Sequence, residues 1–131
     1  MEFILLYPRG KNLFIEIVCD TYIPWQPRTE EELSTKVNEL VPVVTELKEY
    51  CVSRGLNQIV IVNFEKAIHF EKLNFLLAAK MVRTLSEMFP DTLLKKIEFH
   101  HVSPVLKTIY DTVKGIIPRR IKDVISIIST H

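Results

Sequence analysis

The chain has 131 residues, 47% of them hydrophobic and 25% charged, an ordinary globular mixture that argues against disorder and suits one domain around one core. Seventeen Lys and Arg against sixteen Asp and Glu leave a formal charge of +1, so no global field recruits nucleic acid or an anionic surface, and any charge-driven partner needs a local patch. Three glycines argue against glycine-rich phosphate cradles, and no run approaches the roughly eighteen apolar residues of a membrane span.

The opening MEFILLYPRG has too short an apolar run for a signal peptide and lacks its basic start, so a cytoplasmic protein is expected. Residues 2–7 and 13–19 are β-rich runs separated by Pro8, Arg9, Gly10, Lys11 and Asn12, which predicts an N-terminal hairpin. Cys19, at the end of the second run, and Cys51 both have apolar neighbours; they read as buried thiols, not as a disulfide scaffold. Pro24 and Pro27 around Trp25 make residues 20–28 a loop.

Thr29, followed by Glu30, Glu31 and Glu32, is a helix start with an N-cap hydroxyl and first-turn negative charge. Leu33, Val37, Leu40, Val41, Val44, Leu47 and Cys51 form one apolar stripe, and Gly55 stops the helix after Arg54. Pro42 predicts either a kink or two shorter helices. Residues 58–64, QIVIVNF, are a β-branched run suited to the middle of a sheet. A second helix is expected over residues 70–88, ended by Pro90, and a strand over residues 96–101, KIEFHH. Ser103 and Pro104 start a third helix running to about Lys114, with Val105, Ile109 and Val113 on its apolar side, and residues 122–129 form a last strand. The order ββ-αβ-αβ-αβ predicts an α/β fold, a mixed sheet of about five strands with helices packed on it, as a single domain over residues 1–131.

Three segments carry a family resemblance: IVIVNFEKAIHFEKL, a central strand closing on a short loop; MFPDTLLKKIEFHHVSP, a helix exit containing Phe89, Pro90 and Asp91 and leading through basic residues into a strand; and VLKTIYDTVKGIIPRRIKDVISII, a helix, proline turn and basic lead into the last strand. From Ile59 onward the chain resembles the Sec14-like (CRAL-TRIO) family. That resemblance implies a non-enzymatic module with a lipid cavity between sheet and helices, or one used for protein interaction. Asn63 and Phe64 replace the aspartate-containing strand end usual in the family. The chain stops at Ser129, Thr130 and His131, directly after the last strand, so a core-only version is expected, without the N-terminal helical region and the C-terminal gate. A protein partner or homodimer covering the ungated face follows from the same reading. The related STAS domains, regulatory switches, are the alternative, but residues 64–70 contain none of the hydroxyls such a switch phosphorylates.

His100 and His101 are adjacent at a strand end, so their side chains face opposite ways and cannot chelate one ion together. With His69 and His131 remote in sequence, neither metal nor cofactor is expected, and a small enzyme using His100 or His101 is a lesser alternative. Lys95, Lys96, Arg119, Arg120 and Lys122, with Lys107 and Lys114 upstream, are the one basic cluster. Strand starts share one end of a parallel sheet, which would gather them for an anionic headgroup, an acidic partner or peripheral contact with an anionic membrane; the plain alternative is cations at a helix C-terminus. The resemblance implies a headgroup role for a basic residue near the start of the last strand, and Lys122 is the nearest match. Tyr22 and Trp25 are candidate partner contacts, or a lid over the core.

Overall fold

The first two strands, β1 (Ile4–Arg9) and β2 (Asn12–Val18), pair antiparallel, with Arg9 opposite Asn12. The loop between them is only Gly10 and Lys11, and Gly10 takes φ 62, the positive value that the first residue of a type II′ hairpin turn requires. The predicted five-residue reversal therefore shrinks to two, and Pro8 lies inside β1. An edge strand tolerates it, because a proline there need not take a donor from the ladder. The computed structural model describes residues 4–18, 29–65, 76, 77, 79, 80, 83, 84 and 93–128.

Helix α1 (Glu30–Arg54) starts as its residues predict. Thr29 is extended, its hydroxyl accepts from the Glu32 N–H at 3.1 Å, and three glutamates occupy the first turn. At the other end Gly55 is left-handed at φ 64. The N–H groups of Gly55 and Leu56 return to the carbonyls of Val52 and Cys51 at 3.4 and 2.9 Å, a Schellman closure that leaves Leu56 packed near Cys51. Pro42 is contained within this single helix, on an exposed position.

Strand β3 (Asn57–Asn63) follows, then helical residues at Leu76, Leu77, Ala79, Lys80, Arg83 and Thr84, strand β4 (Leu94–His100) and helix α2 (Pro104–Val113). Ser103 caps α2 by accepting from the Leu106 N–H at 3.2 Å, with Pro104 at the first turn. The chain continues through a 3₁₀ turn (Lys114–Ile116), a one-turn helix α3 (Arg119–Lys122) and strand β5 (Ile125–Ile128).

Two expectations are corrected here. The last strand begins at Ile125 and Lys122 belongs to α3, because the N–H groups of Lys122 and Asp123 are taken by the carbonyls of Pro118 and Arg119. On α2, Val105, expected on the apolar side, is exposed, whereas its neighbour Leu106 is buried; Tyr110, four residues on, lies on the side of Leu106 and packs against the core.

The sheet order is β1-β2-β3-β4-β5, with β2 to β5 all parallel. Parallel crossovers are right-handed, and crossovers that always step in the same direction place their helices on one face. The packing agrees. The in-register row Ile15, Val60, Ile97 and Ile125 lies under the helices. Leu13 and Ile15 pack with Cys51 and Leu47 of α1, while Ile97 and Ile125 pack with Ala79, Tyr110, Ile117 and Ile121. Leu77 closes against Leu33 and Val37, and Lys80 reaches Glu30 at 2.8 Å.

Candidate functional site

Strand residues alternate between faces, so the positions between the core residues define the opposite face of the sheet. Across it run Tyr7, Phe14, Ile59 and Lys96 in one row, Leu5, Glu16, Ile61, Glu98 and Ser126 in the next, and Val18, Asn63, His100 and Ile128 beyond. Among the described residues, the helices whose sheet contacts define the core lie on the other face.

Two carboxylates flank Ile61 in that middle row. Glu16 accepts from the Tyr7 hydroxyl at 3.3 Å through one oxygen and from Asn63 Nδ2 at 3.3 Å through the other. Asn63 Oδ1 in turn accepts from the Glu65 N–H at 3.0 Å. Glu98 is held by His100 Nε2 at 2.8 Å and Lys96 Nζ at 3.1 Å, one on each oxygen, with its side chain only 17% exposed. The His100 hydrogen bond is the main cause holding the Glu98 carboxyl below its ordinary range, with Lys96 adding to it against the opposing effect of burial. The Tyr7 pKa is shifted upward by burial first, then by the nearby charge of Glu16, which accepts its hydrogen bond. The Tyr7 ring stacks on Phe14 at 5.4 Å between centroids, and the Arg9 guanidinium lies 5.8 Å from the Phe14 centroid. The result is an apolar floor of the half-buried Phe14 and Ile59 beside the buried Ile61, crossed by hydrogen-bonded carboxylates. Such a surface can seat the apolar body of a ligand and orient a polar end.

The predicted basic cluster is partly assembled and partly divided. Ile97 pairs with Ile125, and the Ile97 N–H donates to the Val124 carbonyl at 2.9 Å, which brings the start of β4 and the end of α3 to the same end of the sheet. Lys95 and Arg119 are exposed there; Arg120 and Lys122 are half-buried. Lys95 is the extra residue of a β-bulge, since Gln58 pairs with Leu94 and Ile59 with Lys96. Lys96 turns to Glu98 and joins the sheet-face network. Lys107 and Lys114 both pair with Asp111, at 3.3 and 3.5 Å.

His100 serves Glu98, and His101, in the left-handed region at φ 60, places Nε2 3.8 Å from Glu65 Oε2; the two do not converge. Among the described residues no three His, Cys, Asp or Glu side chains are grouped to hold a metal ion, and no helix is long and apolar enough to cross a membrane. Tyr22, Trp25, Cys19, His69, His131 and the Phe89, Pro90, Asp91 segment lie outside the described residues. Cys51 is a fully buried free thiol, as its apolar neighbours predict.

Tyr7, Glu16 and Glu98 do not stand out in the sequence, and Asn63 does so only as a departure from the family's strand end. The available signal is alternation: Lys96, Glu98 and His100 interleave with Ile97 and Phe99, and Glu16 interrupts an apolar strand. Alternation shows that these residues share a face of their own strand, and only inter-strand register brings the strands' polar positions together.

No curated protein matches the chain. Among solved structures, that titled "Crystal structure of Sfh5" is similar, with a TM-score of 0.64 and 13% identity over 96% of this chain, which spans 46% of the length of that one. The likeness is one of fold. A family model described as the CRAL/TRIO domain matches residues 25–131. The parallel sheet with its helices, the structural likeness and this match over most of the sequence agree: the chain belongs to the CRAL/TRIO family.

Proposed function

We infer that the chain is a non-enzymatic lipid-binding module whose hydrophobic ligand lies on the sheet face opposite the helices. The observation that carries this reading is the sheet order. Because β2 to β5 follow chain order, right-handed crossovers commit their helices to one side and leave Phe14, Ile59 and Ile61 on the other. Membership of the CRAL/TRIO family supports the ligand class. The carboxylates Glu16 and Glu98 orient the ligand's polar end, and burial of its chains against the half-buried Phe14 and Ile59 contributes about 25 cal/mol per Å² of apolar surface removed from water.

Native mass spectrometry of the purified chain tests it. A lipid mass is expected on the unsubstituted protein and absent from Ile59→Asp, a variant whose new carboxylate stands opposite Lys96 and leaves the helix-side core intact. Lipid retained by the variant, or found on neither protein, refutes the assignment. Lys95, Arg119, Arg120 and Lys122 form the surface for an anionic headgroup or membrane. Arg119→Glu with Arg120→Glu is expected to reduce binding to vesicles containing anionic phospholipid, more so at low salt; unchanged binding removes that role.

A further inference from the structure

We propose that the outer edge of β1 pairs with β1 of a second copy of this chain, forming a two-fold dimer centred on Leu5. Strand β1 ends the sheet, and its stretch from Ile4 to Tyr7 carries no charge; Leu5 and Leu6 are 48% and 51% exposed. Edge strands are ordinarily protected by charge, a bulge or proline, and within β1 the proline and the charge, Pro8 and Arg9, both lie beside the turn and leave Ile4 to Tyr7 without either.

The direction of each backbone group follows from the register. The Lys11 carbonyl accepts from the Asn57 N–H at 2.8 Å, so in β2 the odd-numbered residues direct their backbone groups toward β3 and the even-numbered ones toward β1. In β1 the hydrogen-bonded partners are therefore Leu5 with Glu16, Tyr7 with Phe14 and Arg9 with Asn12. Ile4, Leu6 and Pro8 direct theirs outward, and Pro8 offers a carbonyl only.

Two registers let this edge pair with itself, and one of them leaves no outward group of Ile4 or Leu6 unmatched. With Leu5 on the two-fold axis, Leu6 stands opposite Ile4 of the second copy; each pair exchanges both backbone hydrogen bonds, and the axis generates the pair twice. Centring on Leu6 instead would set Ile4 opposite Pro8, where one donor is missing. In the Leu5-centred register Leu6 meets Ile4 of the second copy on the helix-side face, extending the cluster of Ile4, Leu13, Ile15, Leu47 and Cys51 across the axis. Arg9 and its counterpart lie at opposite ends of the paired strands, so no like charges meet. A second copy is the occupant chosen because one edge supplies both the donors and the acceptors, in a closed and symmetric pairing.

The full chain is examined by sedimentation equilibrium over a dilution series. A monomer–dimer equilibrium is expected. Leu6→Pro removes an outward N–H and no ladder bond to β2, so it should raise the dissociation constant roughly tenfold or more, with an unchanged circular dichroism spectrum. Under mild oxidation, Leu5→Cys should give a disulfide-linked dimer because residue 5 faces itself at the Cα separation of a non-hydrogen-bonded pair, about 4.5 Å. Leu6→Cys should not, with the unsubstituted chain, which carries Cys19 and Cys51, as the blank. A monomer at every concentration, a dimer indifferent to Leu6→Pro, or equal cross-linking at both positions overturns the proposal. So do open polymers, the product of β1 pairing head-to-tail with β5 of another copy.

Discussion

Val105 and Leu106 are neighbours at the start of α2, and replacing each with alanine should have very different consequences. Leu106 is 6% exposed and Val105 52%. Leu106→Ala removes three carbon atoms from a site closed to water, about 2.4 kcal/mol at about 0.8 kcal/mol each. The cavity left behind brings the expected loss to about 3 kcal/mol. Val105→Ala removes two carbons already half in water, about 0.8 kcal/mol, and returns about 0.6 kcal/mol because alanine favours helix over valine. An unfolding entropy of about 2.1 cal/mol/K per residue over 131 residues is roughly 0.28 kcal/mol/K. Leu106→Ala should therefore lower the Tm by about 11 °C and Val105→Ala by less than about 1 °C. Thermal and urea unfolding followed by circular dichroism measure both. If Val105→Ala were the more damaging, Val105 would be the inward residue, and the placement of α2 against the sheet would be wrong.

Thr29→Ala deletes the hydroxyl that accepts from the Glu32 N–H and should cost about 1 kcal/mol, a Tm decrease of roughly 3–4 °C; no change would mean the cap carries no stability. Gly55→Ala forces a side chain into a backbone at φ 64 and should cost about 1 kcal/mol although open space surrounds the new methyl, so an unchanged urea midpoint would refute the strain argument. The folded-state pKa of Glu98 is depressed, so its contribution to stability is complete above the ordinary value of 4.5 and is lost as pH falls through the folded-state value. A carboxyl NMR titration should place its midpoint below 4.5 and move it upward in His100→Ala; a native midpoint at or above 4.5 would contradict the His100 contact.

The readings from local sequence succeeded where the physics is local. Thr29 with the glutamates after it, Gly55, and Ser103 with Pro104 mark helix ends because caps and backbone conformations are satisfied within a few residues. The β-branched run of β3 and the order ββ-αβ-αβ-αβ were legible for the same reason, and that order carries the handedness rule that sends the helices to one face. Val105 and Leu106 are adjacent apolar residues of α2, and only the packed fold decides that Leu106 is buried and Val105 exposed, with Tyr110 against the cluster of Ala79, Ile117 and Ile121. Lys122 looks like a strand start until the carbonyl of Pro118 takes its N–H.

The same distinction governs the candidate site. From residues alone come the family, the α/β order, the buried Cys51 and the basic character of the segments around Lys95 and Arg119. The pairing of Glu16 with Tyr7 and Asn63, the removal of Lys96 from the basic end to Glu98, and the outward Ile4 and Leu6 backbone all depend on register between strands. Register is a long-range quantity: a shift of one residue moves every side chain to the other face, and it is held by the helices burying Leu13, Ile15 and Ile97. A strand's sequence states which residues share a face; the packed sheet determines which of them meet.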